Sequence, residues 1–243
     1  MVGSVVAEIR YYKTLDLASK AIAKDIRKKI KKVLCRKNEF NLAISGGNTP
    51  NHLYNLLGSE YKDSISWQRV HIFWGDERYV PKDHPDSNYT MAYNNLISKI
   101  TIPNKNIHRI ITEMENPHKS ALDYEELLQK FFPKGSQYTF DLMLLGMGED
   151  GHTASLFPKS PILKEEEHWV SNVIVSSTNR PRHRITLTIP VINRSKSIFF
   201  LVSGKKKTTI AESIFKDPQV AIKKYPAAMV HAIEDTIWYV AKD

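Results

Sequence analysis

A short apolar run that ends in glycine and leads into a helical pattern occurs four times along this chain. That repetition constrains the fold more than any other feature of the sequence. Residues 40–45 precede Gly46-Gly47 and a helix opening at Pro50 and running through Leu57, and residues 70–74 precede Gly75 and a helix over 88–100. Residues 140–145 precede Gly146 and a helical turn, and residues 197–202 precede Gly204 and a helix to Phe215. Strands alternating with helices predict a parallel or mostly parallel sheet with helices on both faces, the doubly wound α/β class. Further strands are predicted at 169–175, 184–189 and 236–241. A helix capped by Thr14 is predicted from Leu15, Ala18, Ile22, Ile26, Ile30 and Val33, which recur every three or four residues. Seven of the ten glycines (Gly46, Gly47, Gly75, Gly146, Gly148, Gly151 and Gly204) fall just beyond predicted strand ends. In this class that edge is where ligands bind. No Pro/Gly/Ser linker, repeat or low-complexity tract interrupts the pattern, so a single domain over 1–243 is expected.

With 42% hydrophobic and 25% charged residues, disorder and a fibrous fold are excluded. The net charge of +9 directs attention to anionic partners: nucleic acid, an acidic membrane or a phosphorylated metabolite. The densest basic cluster (Arg27, Lys28, Lys29, Lys31, Lys32, Arg36 and Lys37) sits toward the end of the first helix, where cations favour the helix dipole, and reads as a solvated face. No aromatic residues are interleaved with it and no nucleic-acid-reading motif accompanies it, so no nucleic-acid partner is expected; a non-catalytic anion or nucleic-acid binder remains the lesser alternative. A single cysteine, Cys35, forbids an intramolecular disulfide and any multi-cysteine metal site. Residues 2–7 are too short and lack the basic residues of a leader, and no run of 18 apolar residues exists, so a cytoplasmic, unprocessed protein without a membrane partner is expected.

Four strand-end loops concentrate the polar chemistry. Ser45-Gly46-Gly47-Asn48-Thr49-Pro50 joins a strand to a helix and reads either as an anion cradle of backbone N–H groups and hydroxyls or as a tight turn; it lacks the Gly-Lys-Ser/Thr ending of a Walker A loop. Gly204-Lys205-Lys206-Lys207 lacks the upstream glycine of that motif, yet a lysine at a helix start beyond a strand can meet a phosphate. Gly75-Asp76-Glu77-Arg78 places two carboxylates and an arginine together, which in isolation reads as a self-paired turn, and Asp86 or Ser87 suits the cap of the next helix. Gly146-Met147-Gly148-Glu149-Asp150-Gly151-His152 contains a literal G-x-G-x-x-G, but it lies mid-chain and no carboxylate ends the following strand, so it is a poor dinucleotide fingerprint. His152, presented at a glycine-rich strand end beside Asp150, stands where a general base belongs. Arg182, His183 and Arg184 by themselves read as a solvated start to a strand. No G-x-S-x-G elbow and no paired metal-ligand spacing occurs, which leaves metal-free, non-covalent chemistry as the simplest expectation.

Taken together, residues 45–50, 74–81 with His84 and Asp86-Ser87-Asn88, residues 145–158 and residues 184–187 resemble the 6-phosphogluconolactonase family in order and spacing. The Gly-Met-Gly-Glu-Asp-Gly-His-Thr-Ala-Ser-Leu-Phe-Pro stretch is the most specific of these blocks. The resemblance implies a Rossmann-like sheet and a phosphosugar site, both shared with glucosamine-6-phosphate isomerase/deaminase. Gly75-Asp76-Glu77-Arg78 and Asp150-Gly151-His152-Thr153-Ala154-Ser155 favour the lactonase over that alternative.

The activity so implied is hydrolysis of 6-phospho-D-glucono-1,5-lactone in the oxidative pentose phosphate pathway, with no cofactor and no metal. His152 would activate water and Asp150 would orient or charge-balance it. The resemblance implies Arg78 and Lys207 as partners of the phosphate, with Ser45, Gly46, Gly47, Asn48 and Thr49 as the loop beside the substrate. Asp76, Gly148 and Arg184 complete the expected binding set. Lys205 and Lys206 flank Lys207 and leave open which lysine meets the phosphate, and the oligomeric state is left open as well.

Overall fold

The computed structural model describes residues 6–133, 135–175 and 181–243. Of the stretch 2–7 read as lacking a leader, residues 2–5 lie outside the described residues. The strands are β1 (Val6–Tyr12), β2 (Phe40–Ile44), β3 (Val70–Trp74), β4 (Asp76–Arg78), β5 (Ile107–His108), β6 (Leu142–Leu145), β7 (Val170–Ile174), β8 (His183–Leu187), β9 (Ser197–Ser203) and β10 (Asp235–Ala241). The helices are α1 (Leu15–Leu34), α2 (Asn48–Leu57), α3 (Asn88–Asn95), α4 (Pro117–Phe131), α5 (Ile189–Asn193), α6 (Lys205–Lys216) and α7 (Pro218–Ala221). No helix among the described residues is long and apolar enough to cross a membrane.

Seven strands form one parallel sheet in the order β1-β10-β9-β6-β2-β3-β5. The central strands β3 and β6 are buried at every position, as continuous apolar runs are when both faces are covered. The cover is visible in the side chains. Along β3, Trp74 meets Tyr89 of α3, while Phe73, which points the other way, meets Phe131 of α4. On the other half of the sheet, Lys29 of α1 lies over Phe199, whereas Phe215 of α6 meets Trp238 edge-on. Helices therefore flank both faces.

The winding direction fixes the site. From β2 the chain proceeds outward through β3 to β5, and from β6 it proceeds the opposite way through β9 to β10. The β2/β6 pair is the switch point, so the loops after these two strands diverge and leave a crevice between them.

Three of the predicted features fold differently. The predicted strands at 169–175 and 184–189 do not join the parallel sheet; β7 and β8 pair antiparallel with each other and with β4 in a separate three-stranded sheet. β7 has a polar, half-exposed middle, which suits a strand with one solvated face. Residues 146–157 form a loop, not a helical turn, because Gly151 (φ +79°) and Ala154 (φ +47°) adopt the left-handed region that no α-helix uses. The helix predicted over 88–100 ends at Asn95 and gives way to a 3-10 turn at Ile97–Lys99.

Candidate active site

The loop after β2 is fastened from inside. The Ser45 N–H donates to the Tyr54 hydroxyl (3.1 Å), and that hydroxyl donates to the Ser45 carbonyl (2.7 Å). Tyr54 is fully buried, and burial pushes its phenol well above the ordinary range, so it remains a neutral donor. Gly47 (φ +106°) is the N-cap of α2, in a conformation that favours glycine. No side chain caps α2 and no acid stands in its first turn, so its leading N–H groups and positive dipole end are left for an anion.

Register places the charges. In the β4/β8 pair Asp76 opposes Thr186 and Arg78 opposes Arg184, so these four residues share one face. Asp76 is buried; its Oδ2 accepts from the Ser155 hydroxyl at 2.7 Å, and its main-chain carbonyl accepts from Asn88 Nδ2 at 2.9 Å. Arg78 Nη1 donates to the Asp86 carbonyl (2.7 Å) and Arg184 Nε to the Pro181 carbonyl (2.8 Å). Burial first, and then the charge of Arg78, pull the Arg184 guanidinium below its ordinary value, against the opposing charges of Asp76, Glu77 and Asp86. Two arginines directly opposed on a sheet repel, and the arrangement becomes favourable when an anion lies between them. Of the cluster Arg182, His183 and Arg184, only Arg184 is buried and reaches the site; the other two are exposed, as a solvated strand start requires.

The loop after β6 carries the titratable pair. Gly148 N–H donates to the His152 carbonyl (2.9 Å), Gly151 N–H to the Gly148 carbonyl (3.1 Å) and the Thr153 hydroxyl to the Gly146 carbonyl (2.8 Å). Inside this turn His152 Nδ1 lies 2.6 Å from Asp150 Oδ1, which also accepts the His152 backbone N–H at 3.1 Å. Phe157 packs on the imidazole with ring centroids 4.3 Å apart. Half-burial works to raise the Asp150 carboxyl, but the hydrogen bond and charge of His152, with nearby backbone N–H groups, outweigh it and hold the carboxyl below its ordinary value.

These loops meet around a cavity of about 210 Å³ lined by Ser45, Gly46, Gly47, Asn48, Thr49, Asp76, Arg78, Gly148, His152, Arg184 and Lys207, which are eleven of the twelve residues expected from sequence. The twelfth, Asp150, stands behind His152. Of the three candidate lysines, Lys207 lines the cavity, whereas Lys206 Nζ pairs with Glu149 at 3.0 Å and Lys205 is exposed. Among the described residues, the buried Ser45 Oγ, Arg78 Nε and Asn88 Oδ1 have no hydrogen-bond partner, and all three residues line this cavity. No three of the described His, Cys, Asp and Glu residues cluster as metal ligands would.

Sequence reasoning gave Asn88 no role at the cavity, although it follows the cap of α3 and is buried; of the two cap candidates, Ser87 is the cap, its hydroxyl accepting from the Thr90 N–H at 3.2 Å. Ser155 was likewise missed as the partner of Asp76. A polar residue in the first turn of a helix beside a charged strand end was the available signal for Asn88; for Ser155 there was none beyond the motif around it.

Residues 13–238 match the family described as glucosamine-6-phosphate isomerases/6-phosphogluconolactonase. The chain belongs to this family. It is 40% identical over 212 residues to 6-phosphogluconolactonase of Synechocystis, covering 86% of this chain and 85% of the relative. It is also 40% identical over 220 residues to the chloroplastic 6-phosphogluconolactonase 3 of Arabidopsis thaliana, covering 84% of this chain and 63% of that one. The crystal structure of 6-phosphogluconolactonase from Thermotoga maritima superposes with a TM-score of 0.84 at 32% identity, covering 98% of this chain and all of that one. A monomeric glucosamine-6-phosphate deaminase superposes at 0.79 with 19% identity over 97% of both chains, a likeness of fold alone. The family's mostly parallel Rossmann-like α/β fold is thus the fold of this chain.

Proposed function

We propose that this protein hydrolyses 6-phospho-D-glucono-1,5-lactone to 6-phosphogluconate, with His152 as general base and Arg78, Arg184 and Lys207 as the cationic seat of the phosphate. The observation that carries the reading is the convergence, in one cavity, of these three cations with an imidazole whose Nδ1 is held by Asp150.

A δ-lactone is an ester whose carbonyl is already electrophilic, so its hydrolysis needs an activated water, a stabilised oxyanion and a proton for the leaving oxygen. Asp150 accepts the Nδ1 proton and thereby fixes the tautomer that leaves the Nε2 lone pair as the base. Nε2 removes a proton from water as its oxygen bonds to the lactone carbonyl carbon. The imidazolium, balanced by Asp150, then returns a proton to the ring oxygen as the carbon–oxygen bond breaks. The positive field of the cavity stabilises the oxyanion between these steps. The phosphate binds remote from the reacting carbonyl, at the head of α2 and the three cations, and its binding orients the ring. A cytoplasmic setting belongs to the same proposal, supported by the single cysteine, Cys35, which has no second cysteine in the chain with which to form a disulfide.

Replacing His152 with Ala tests the assignment. Turnover of the lactone above its spontaneous rate is expected to fall by roughly 10²–10⁴-fold with the circular dichroism spectrum retained. Undiminished turnover would remove His152 as the base.

A further inference from the structure

Between Asp76 and Arg78, both of which line the cavity, β4 carries a third charged residue that faces away from it. Glu77 opposes Ile185 in the β4/β8 register and is only 2% exposed. Its carboxylate is fully engaged. Oε1 accepts the N–H groups of Arg78 and Asn88, each at 2.7 Å, and Oε2 accepts the Tyr89 N–H at 2.8 Å and the Ser87 hydroxyl at 3.3 Å.

These four donors belong to two separate pieces of the site. Arg78 ends β4, and Ser87, Asn88 and Tyr89 form the cap and first turn of α3. The intervening loop therefore leaves and rejoins the fold on one carboxylate, and the Arg78 guanidinium is itself pinned to the Asp86 carbonyl near the end of that loop. Asn88 in turn holds the Asp76 carbonyl. A buried carboxylate is expensive unless hydrogen-bonded, and this one is stabilised by a helix N-terminus and by the backbone of the arginine it adjoins.

We propose that Glu77 is a positioning residue for the substrate phosphate, setting Arg78 and Asn88 at the cavity by tying the end of β4 to the first turn of α3. The proposal rests on the phosphosugar reading of the cavity given above. Glu77 touches neither phosphate nor lactone; it acts through Arg78. Its loss therefore weakens binding of the phosphate more than it slows the reaction at His152.

The test is Glu77→Gln in the full chain, with the milder Glu77→Asp beside it. Gln keeps the size of the side chain but sets an amide N–H₂ against N–H donors, and Asp keeps the charge but falls one methylene short. In Glu77→Gln, KM for the lactone rises about tenfold, kcat falls by less than about threefold, and inorganic phosphate loses affinity as a competitive ligand by the same factor as KM. Glu77→Asp shifts KM in the same direction by less, and decides the matter if the Gln variant does not fold. In an Arg78→Ala background, Glu77→Gln changes KM by less than about twofold, because the residue it acts through is gone.

A lowered kcat at unchanged KM would mean that Glu77 only maintains the folded fraction, and full additivity with Arg78→Ala would mean that it does not act through the arginine; either result overturns the proposal. If the wild-type protein binds inorganic phosphate but turns over no lactone, the functional reading fails while the phosphate affinities of the variants still decide the role of Glu77. Absence of phosphate binding in the wild-type protein would overturn both.

Discussion

His152 Nδ1 and Asp150 Oδ1 lie 2.6 Å apart on a single glycine-rich loop, so the imidazole and the carboxylate proposed to orient it are fixed by one turn of backbone. Asp150→Asn keeps the shape of the pair but allows the amide to donate to Nδ1, which favours the tautomer with a protonated, non-basic Nε2. We expect kcat to fall by roughly 10²-fold or more with KM little changed, measured on freshly generated lactone with the spontaneous rate subtracted.

The opposed arginines Arg78 and Arg184 predict a ligand-linked stability. Their repulsion within the β4/β8 pair is relieved by an anion, so inorganic phosphate raises the melting temperature relative to chloride at matched ionic strength. At about a hundred times its Kd the gain approaches 3 kcal/mol. Arg184→Met is expected to lose most of that phosphate-dependent shift in a thermal melt. Lys is no conservative substitute there, because the planar guanidinium makes a directed bond to the Pro181 carbonyl while facing the cavity.

Gly148 leaves no room for a side chain. A Cβ at this position would stand 2.1 Å from His152 Cε1, 2.2 Å from Nδ1 and 2.9 Å from Asp150 Oδ1. Gly148→Ala therefore displaces the imidazole by a fraction of an ångström to an ångström. We expect kcat to drop by roughly 10²-fold, with a smaller effect on phosphate affinity, since the cations are untouched.

Burial pushes the Glu77 carboxyl from its ordinary 4.5 up to about 7, against the hydrogen bonds from Asn88, Arg78 and Tyr89 that work to lower it and with the charge of Asp76 adding to the rise. The folded state thus holds this proton more tightly than the unfolded chain does. Its contribution to stability is full below the unfolded value and is lost as pH rises from 4.5 through about 7. That gap is worth on the order of 3 kcal/mol. Gln at this position does not titrate, so the melting temperature of Glu77→Gln relative to wild type becomes more favourable between pH 5 and pH 8, by roughly 5 °C or more. A difference that stays constant across that range would contradict the burial of an ionisable Glu77.

The parts of the site written into single strand-end loops were legible in the sequence. Ser45 to Thr49, Gly148 to His152 and Lys207 each follow a buried parallel strand, and the sheet delivers all such loops to one edge. The three-stranded sheet was not legible as a separate unit, because alternation of strands and helices says nothing about which strands pair. The residues around Arg184 taken alone therefore read as a solvated strand start, and only the family resemblance put Arg184 in the site; the structure supplies the physical reason, because β8 sets it opposite Arg78. The turn at Gly151 and Ala154 was misread as helical because positive φ at an alanine has no sequence signature. α4 was missed even though Asn116 caps it and Pro117 opens it, a start signal that was there to be used. Glu77 read as part of a surface turn because two of its partners are the main-chain N–H groups of Asn88 and Tyr89, distant in sequence and without side-chain identity.

The most direct measurement is hydrolysis of freshly generated 6-phosphogluconolactone by the purified protein, corrected for spontaneous opening, alongside deamination of glucosamine-6-phosphate by the same preparation. The site predicts lactone hydrolysis well above background, lowered roughly 10²–10⁴-fold in His152→Ala, and no deamination. Deamination without lactone hydrolysis would contradict the proposed function and assign the cavity to the other activity of the family.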